Sequence, residues 1–368
     1  MKIGIDCRLW KETGVGRHIR NLVKGLDSLD SKNEYVLFLL PKDMENTQIP
    51  ARFKKVSVDV RWHTLKEQFV MPRIFLKEKL DVLHVPYFNI PLFYPKKLII
   101  TIHDLTPIKY PTPKASKLPL PLYGLKLLFY YLVLFFGTRK AKKILTVSES
   151  SKKDIAKTFK INPGKIIVAY NFNPIFKEKW PEKQRENYIL YVGSAYPHKN
   201  LSRLVKAYEL FSERYTLDSI KLPVLILVGK KDSFYQKLEK EVSEKIVSQI
   251  IFADFVTDKK LEEFYRKALF VIQPSLYEGF GFSLIESFIA GTIVICSDIP
   301  VFREIAKDSV LYFNPYDVKD IADKIFVGTT LSESKRKDFI IKNQKVLLEF
   351  NAKKEIGKTV EAYTAFNV

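Results

Sequence analysis

LFVIQPSLYEGFGFSLIESFIAGTIVICSD, residues 269–298, carries the signature of one folding unit. Its apolar, β-branched start stops at Pro274, and glycines at 279 and 281 mark a turn. An apolar helical stretch opens near Ser283, and a second β-branched run starts at Thr292. Strand, turn, helix and strand in that order predict a crossover between two parallel strands.

The same alternation runs outward in both directions. In the first half, strands are expected at 2–6, 35–40, 56–60, 81–85, 98–104, 144–148 and 165–170; in the second, at 188–193, 223–229, 249–255, 269–275 and 292–298. Amphipathic stretches separate most of them, which predicts an α/β chain with mainly parallel sheets. At 368 residues the chain is too long for one ordinary core. The polar stretch NPIFKEKWPEKQRE (173–186) reads as a linker. Two doubly wound, Rossmann-like domains follow, 1–172 and 173–350, with a C-terminal helix over 351–368. Ligands are then expected at the carboxyl ends of strands, in the cleft between the domains.

The charge is lopsided. Residues 1–165 hold 31 Lys+Arg against 14 Asp+Glu, a net of +17, and the rest of the chain holds 30 against 27. Such asymmetry points to one surface that meets something anionic: nucleic acid, an acidic bilayer or a phosphorylated substrate. No RNP motif, zinc spacing or aromatic-basic strand face supports nucleic acid. Cys7 and Cys296 sit in apolar runs without metal-ligand spacing, and read as small core residues of a reduced, cytoplasmic protein. MKIGIDC lacks the n-region and h-region of a secretory signal. The most apolar stretch, 122–136, reads as a core helix or as a helix resting on a membrane surface, with Arg139, Lys140, Lys142 and Lys143 after it.

Four polar loops end strands. In SLYEGFG, the amides of Gly279 to Leu284 would open a helix and attract phosphate or hydroxyls, with Glu278 and Glu286 as acceptors for diols. Ser283 and Glu286 also spell a capping box that needs no ligand. Gly14-Val15-Gly16 in TGVGR (13–17) lacks the third glycine of a dinucleotide fingerprint. VGSAYPHKN (192–200) offers Lys199 as a point charge for a diphosphate. TIHDLTP (101–107) ends another strand with His103-Asp104, a pair that is often structural.

Together these loops resemble the retaining glycosyltransferases of family 4, which have the GT-B architecture of two Rossmann-like domains. The resemblance runs over GIDCRLWKETGVGRHI, LKEQFVMP, TIHDLTP, ILTVSESSKKDI, YVGSAYPHKN and the PSLYEGFGFSLIE block with its two glutamates, and looks nearest the mannosyltransferase branch. EFNAKKEIGKTVEAY (349–363) resembles the family's last helix, which returns to the N-terminal domain. The resemblance implies roles. Glu278 would bind donor sugar hydroxyls, with the amides of Gly279, Phe280 and Gly281 beside it, and Glu286 the ribose. Lys199 would neutralise the diphosphate, against which Gly16 would lie. His103 would contact the sugar near the reacting carbon, and Asp104 would position that loop. Ser194 stands where many members carry Arg, so His198 or Arg17 would have to supply that charge. Ala352 replaces a frequent Trp.

The reaction implied is transfer of a hexose from a GDP- or UDP-sugar to a glycan or lipid-linked acceptor, with the anomeric configuration retained. No cofactor is expected, and the absence of an Asp-x-Asp pair predicts metal independence. A non-catalytic carbohydrate-binding relative, an epimerase and a phosphorylase stay open. The basic N-terminal half is expected to contact an anionic membrane, peripherally, at the inner face of the cytoplasmic membrane.

Overall fold

The structure, a computed structural model, describes residues 1–12, 14–45, 49–116, 118–172, 184–214 and 221–365. The chain divides into two compact units, Met1–Ile175 with Phe350–Val368, and Phe176–Glu349. Residues 173–183 of the expected linker lie outside the described residues.

The first unit holds β1 (Lys2–Asp6), β2 (Glu34–Leu39), β3 (Lys54–Ser57), β4 (Val82–Val85), β5 (Leu98–Thr101), β6 (Lys143–Thr146) and β7 (Ile166–Val168). They form one parallel sheet in the order β3-β2-β1-β4-β5-β6-β7. The second holds β8 (Tyr188–Val192), β9 (Val224–Val228), β10 (Ile250–Ala253), β11 (Phe270–Gln273), β12 (Val294–Ser297) and β13 (Leu311–Phe313), in the order β10-β9-β8-β11-β12-β13. Both sheets are doubly wound. In each, the order reverses beside the first strand, between β1 and β4 and between β8 and β11, and such a reversal leaves a crevice beyond the strands' carboxyl ends. Cys7 and Cys296 are fully buried in the respective cores.

The expected strand at 56–60 is shifted. Ser57 pairs with Leu39, the last residue of β2, so the ladder ends there, while Val58 and Val60 turn into the core. β13 has only three residues and no alternation long enough to register in the sequence.

Two helices bear on function. Ala352–Thr364 packs within the first unit. Tyr363 is fully buried with its hydroxyl 2.7 Å from Nδ1 of His84, and the Glu355 carboxylate accepts from the amide of Tyr170 at 2.9 Å. Gly25 admits this helix, because a Cβ there would fall 2.6 Å from the Ile356 side chain. Ala352 is partly buried against the same core. The second helix, Leu120–Lys140, corrects the core-helix alternative for 122–136: its buried residues are Val133, Leu134, Gly137 and Thr138, all near its end.

Candidate functional site

In the second unit, the loop after β8 and the loop after β11 flank the crevice where the strand order reverses. Asn200 joins them. Its backbone is left-handed (φ 63°), and its buried side-chain amide donates to the carbonyls of Pro274 at 3.0 Å and Pro315 at 2.8 Å. The amide of Leu276 donates to the carbonyl of His198 at 2.8 Å. So anchored, Lys199 places Nζ 2.6 Å from Oε1 of Glu278, which also accepts from the Ser275 hydroxyl at 2.8 Å. Burial opposes ionisation of Glu278, but Lys199, with His198 and Ser275, outweighs it and holds the carboxyl below its usual range. The result is a mostly buried ion pair on two loops tied to each other by hydrogen bonds. Such a pair can accept hydrogen bonds from hydroxyls and present a cation to phosphate.

The structure also corrects several expectations. The helix is Phe282–Ile289, and its N-cap is Gly281, without a side-chain cap bond; the Ser283–Glu286 capping box does not form. The Ser283 carbonyl instead accepts from the Ser287 hydroxyl at 2.6 Å. Glu286 lies beyond the first turn, is 4% exposed, and accepts from the Tyr265 hydroxyl at 2.7 Å. Leu284 does not offer its amide, which donates to the Gly281 carbonyl at 3.0 Å. Phe280 and Leu284 bury their side chains. The Ser194 carbonyl accepts from the Tyr191 hydroxyl at 2.7 Å, and the buried His198 ring stacks on Tyr196.

Gly281 is required by both its backbone and its packing. Its φ is +103°, and a Cβ would meet the Phe302 ring at 2.9 Å. Gly281→Ala is expected to destabilise the chain by about 1–3 kcal/mol in denaturant unfolding. No change in stability would show that the turn is not constrained.

In the first unit, the start of helix Gly14–Leu29 meets the loop after β5. His18 contacts His103 edge-on at 4.6 Å and places Nδ1 2.8 Å from Oδ1 of Asn171. His103 donates from Nε2 to the carbonyl of Pro86 at 3.1 Å, which leaves the lone pair on Nδ1 of the neutral ring. The first turns of this helix and the loop of His103 thus meet through His18. Gly16 is required by packing, since a Cβ would lie 2.6 Å from the Trp10 carbonyl oxygen. Gly14 meets no such obstacle, and Arg17 is partly buried beside it. Asp104 accepts from the amide of Thr106 at 2.7 Å and so shapes its own loop.

The histidines here are held neutral. Burial, with His103 beside it, pushes His18 down to about 3. Burial brings His84 to about 3 and His103 to about 4. Unfolded histidine titrates near 6.5, so the unfolded chain takes up these protons first as pH falls. The stability contribution is therefore complete above about pH 6.5 and lost toward about pH 4, by about 1.4 kcal/mol per pH unit per histidine. Melting of the first unit should fall steeply over that window. His84→Gln, which removes one of these buried rings, should lessen the slope by one proton. A flat profile would contradict this.

Ser275, Asn200, Tyr265, His18 and Asn171 were not singled out by sequence. Only Asn200, directly after the Pro-His-Lys turn, carried a usable signal, because Asn tolerates the left-handed region.

Residues 13–172 match the family Glycosyltransferase Family 4, and residues 172–346 match Glycosyl transferases group 1. The O-antigen chain mannosyltransferase RfbU of Salmonella typhimurium is 29% identical over 77% of this chain and 74% of its own. The O-antigen chain mannosyltransferase B of Escherichia coli is 27% identical over 85% of this chain and 86% of its own. Among solved structures, the sucrose-phosphate synthase of Thermosynechococcus elongatus aligns with TM-score 0.75 at 16% identity, over 100% of this chain and 99% of that one. Anabaena HepE, solved with UDP and glucose, aligns with TM-score 0.73 at 14% identity over 100% of both chains. These neighbours share the GT-B fold of two Rossmann-like sheets, and the two family matches follow one another along the sequence: the chain belongs to the group 1, family 4 glycosyltransferases.

Proposed function

We propose that this enzyme transfers mannose from a nucleotide-diphosphate donor, GDP-mannose in the first instance, to a hydroxyl of a glycan or lipid-linked acceptor with retention of configuration. The observation that carries the reading is the Lys199–Glu278 pair, fixed by Asn200 and Ser275 at the crevice of the second unit. Mannose rests on the relatives named as mannosyltransferases.

In this reading Glu278 accepts hydrogen bonds from the sugar, and Glu286, oriented by Tyr265, takes the ribose. Lys199 answers the charge that develops on the departing diphosphate. The leaving phosphate takes the acceptor's proton on the same face, so the bond to the acceptor oxygen forms as the bond to phosphate breaks. His103 contacts the sugar through Nδ1.

The test is a thermal-shift series with GDP-mannose, UDP-glucose and UDP-N-acetylglucosamine, followed by transfer of labelled sugar from the donor that stabilises. Stabilisation and transfer with GDP-mannose support the reading. Stabilisation by UDP-sugars alone, as the HepE complex would favour, replaces mannose as donor. Metal independence is part of the proposal: transfer should survive excess chelator, and loss restored by Mn²⁺ or Mg²⁺ would refute it.

A further inference from the structure

The helix Leu120–Lys140 is long and apolar enough to cross a membrane, yet little of it is buried. Its exposed side is apolar. Leu122, Leu125, Phe129, Leu132 and Phe136 recur at steps of three and four and are each 39–61% exposed. That spacing lays them in one stripe along the helix. A soluble protein rarely leaves so much contiguous apolar surface uncovered.

The stripe has a neighbour. Helix Leu65–Lys77 exposes Leu65 and Phe69, and the Phe69 ring stacks on exposed Phe93 at 5.1 Å. The segment that carries Phe93 is stapled to both helices. Gln68 donates to the carbonyl of Ile90 at 3.0 Å and accepts from the amide of Leu92 at 2.9 Å. Lys140 donates to the carbonyl of Leu92 at 2.6 Å, and Gly137 sits so close to Ile90 that a Cβ would fall 2.5 Å from its side chain.

The charge around the stripe has one sign. From residue 105 to 148 the sequence has no acidic residue and eight basic ones. Beyond the end of the helix a cavity of about 600 Å³ is lined by Lys96, Lys97, Lys140 and Lys142, with Asp81 the acidic member of its wall.

From this we infer that the first unit docks on an anionic lipid bilayer, with the helix Leu120–Lys140 lying in the plane of the interface and the lysine-lined cavity facing phosphate headgroups. The helix does not span, because Val133, Leu134, Gly137 and Thr138 hold it to the core, and exposed Lys126 interrupts the apolar length. A second copy is a poorer occupant, since two such faces would bring like charges together. A bilayer accepts the apolar stripe and neutralises its basic surroundings at once.

The test uses the full chain in flotation with phosphatidylcholine vesicles, with and without phosphatidylglycerol. Binding should require the anionic lipid and weaken as salt rises. Leu125→Glu with Phe129→Glu should lower vesicle partition at least about tenfold while melting stays unchanged, because both side chains are exposed. Lys96→Ala with Lys142→Ala should reduce the preference for anionic over neutral vesicles. Equal binding to both vesicle types, no flotation, or a dimer in sedimentation that Leu125→Glu disperses would each overturn the inference. The assay reads no sugar transfer, so it stands or falls separately from the donor assignment.

Discussion

Lys199→Ala should lower kcat by about 10²–10³-fold, equivalent to about 2.7–4 kcal/mol of transition-state stabilisation, with a smaller change in KM. Its ammonium is positioned before any reaction begins. Asn200 ties the loop to two carbonyls across the crevice, and Glu278 holds Nζ at 2.6 Å. A fixed cation in a water-poor site costs no reorganisation when charge develops on a leaving phosphate. The same substitution removes the charge that keeps Glu278 ionised against burial, so the acid limb of the pH–rate profile should move upward. Lys199→Arg, which keeps the charge on a different shape, should recover part of the rate. A kcat within about twofold of the parent, about 0.4 kcal/mol, would end the leaving-group role.

Arg8→Ala should produce the largest loss of stability. Arg8 is 1% exposed and donates to Asp6 at 2.9 and 2.6 Å, to the Val60 carbonyl at 3.0 Å, and to Glu67. Asn89 adds a bond to Asp6 at 2.7 Å. Burial works against the guanidinium, but the two carboxylates more than offset it and raise its pKa. Burial raises Glu67, with Arg8 opposing. Without Arg8, two buried carboxylates remain without their shared cation. Breaking such a group typically costs about 3–5 kcal/mol. At about 2–4 °C per kcal/mol for a unit of this size, melting should fall by about 6–20 °C. Lys at this position keeps a charge but not the planar fork, and should recover only part. A drop under about 3 °C would mean that the network is dispensable.

These two residues show what a sequence discloses. Lys199 stands in a loop that follows an apolar strand, and its chemistry is local to its motif. Arg8 owes its place to Glu67, 59 positions away, and to Asn89, and nothing in GIDCRLW announces a buried cation. Most strands were readable as short runs rich in apolar residues between helical stretches; β13 was too short, and β3 was cut by the length of its partner β2. Ser-x-x-Glu at 283–286 offered a cap that the left-handed Gly281 had already taken. For Leu120–Lys140, hydropathy gave the apolar content but not which side the core would cover.

The return of Ala352–Thr364 to the first unit sets the order of assembly on the ribosome. Phe176–Glu349 is complete in the nascent chain before the residues that close the first unit have been translated. His84 and the backbone of Tyr170 must wait for Tyr363 and Glu355, more than 180 positions later. The earliest segment to emerge is therefore among the last to finish folding, and its half-built core is open to chaperones and proteases throughout synthesis of the other unit.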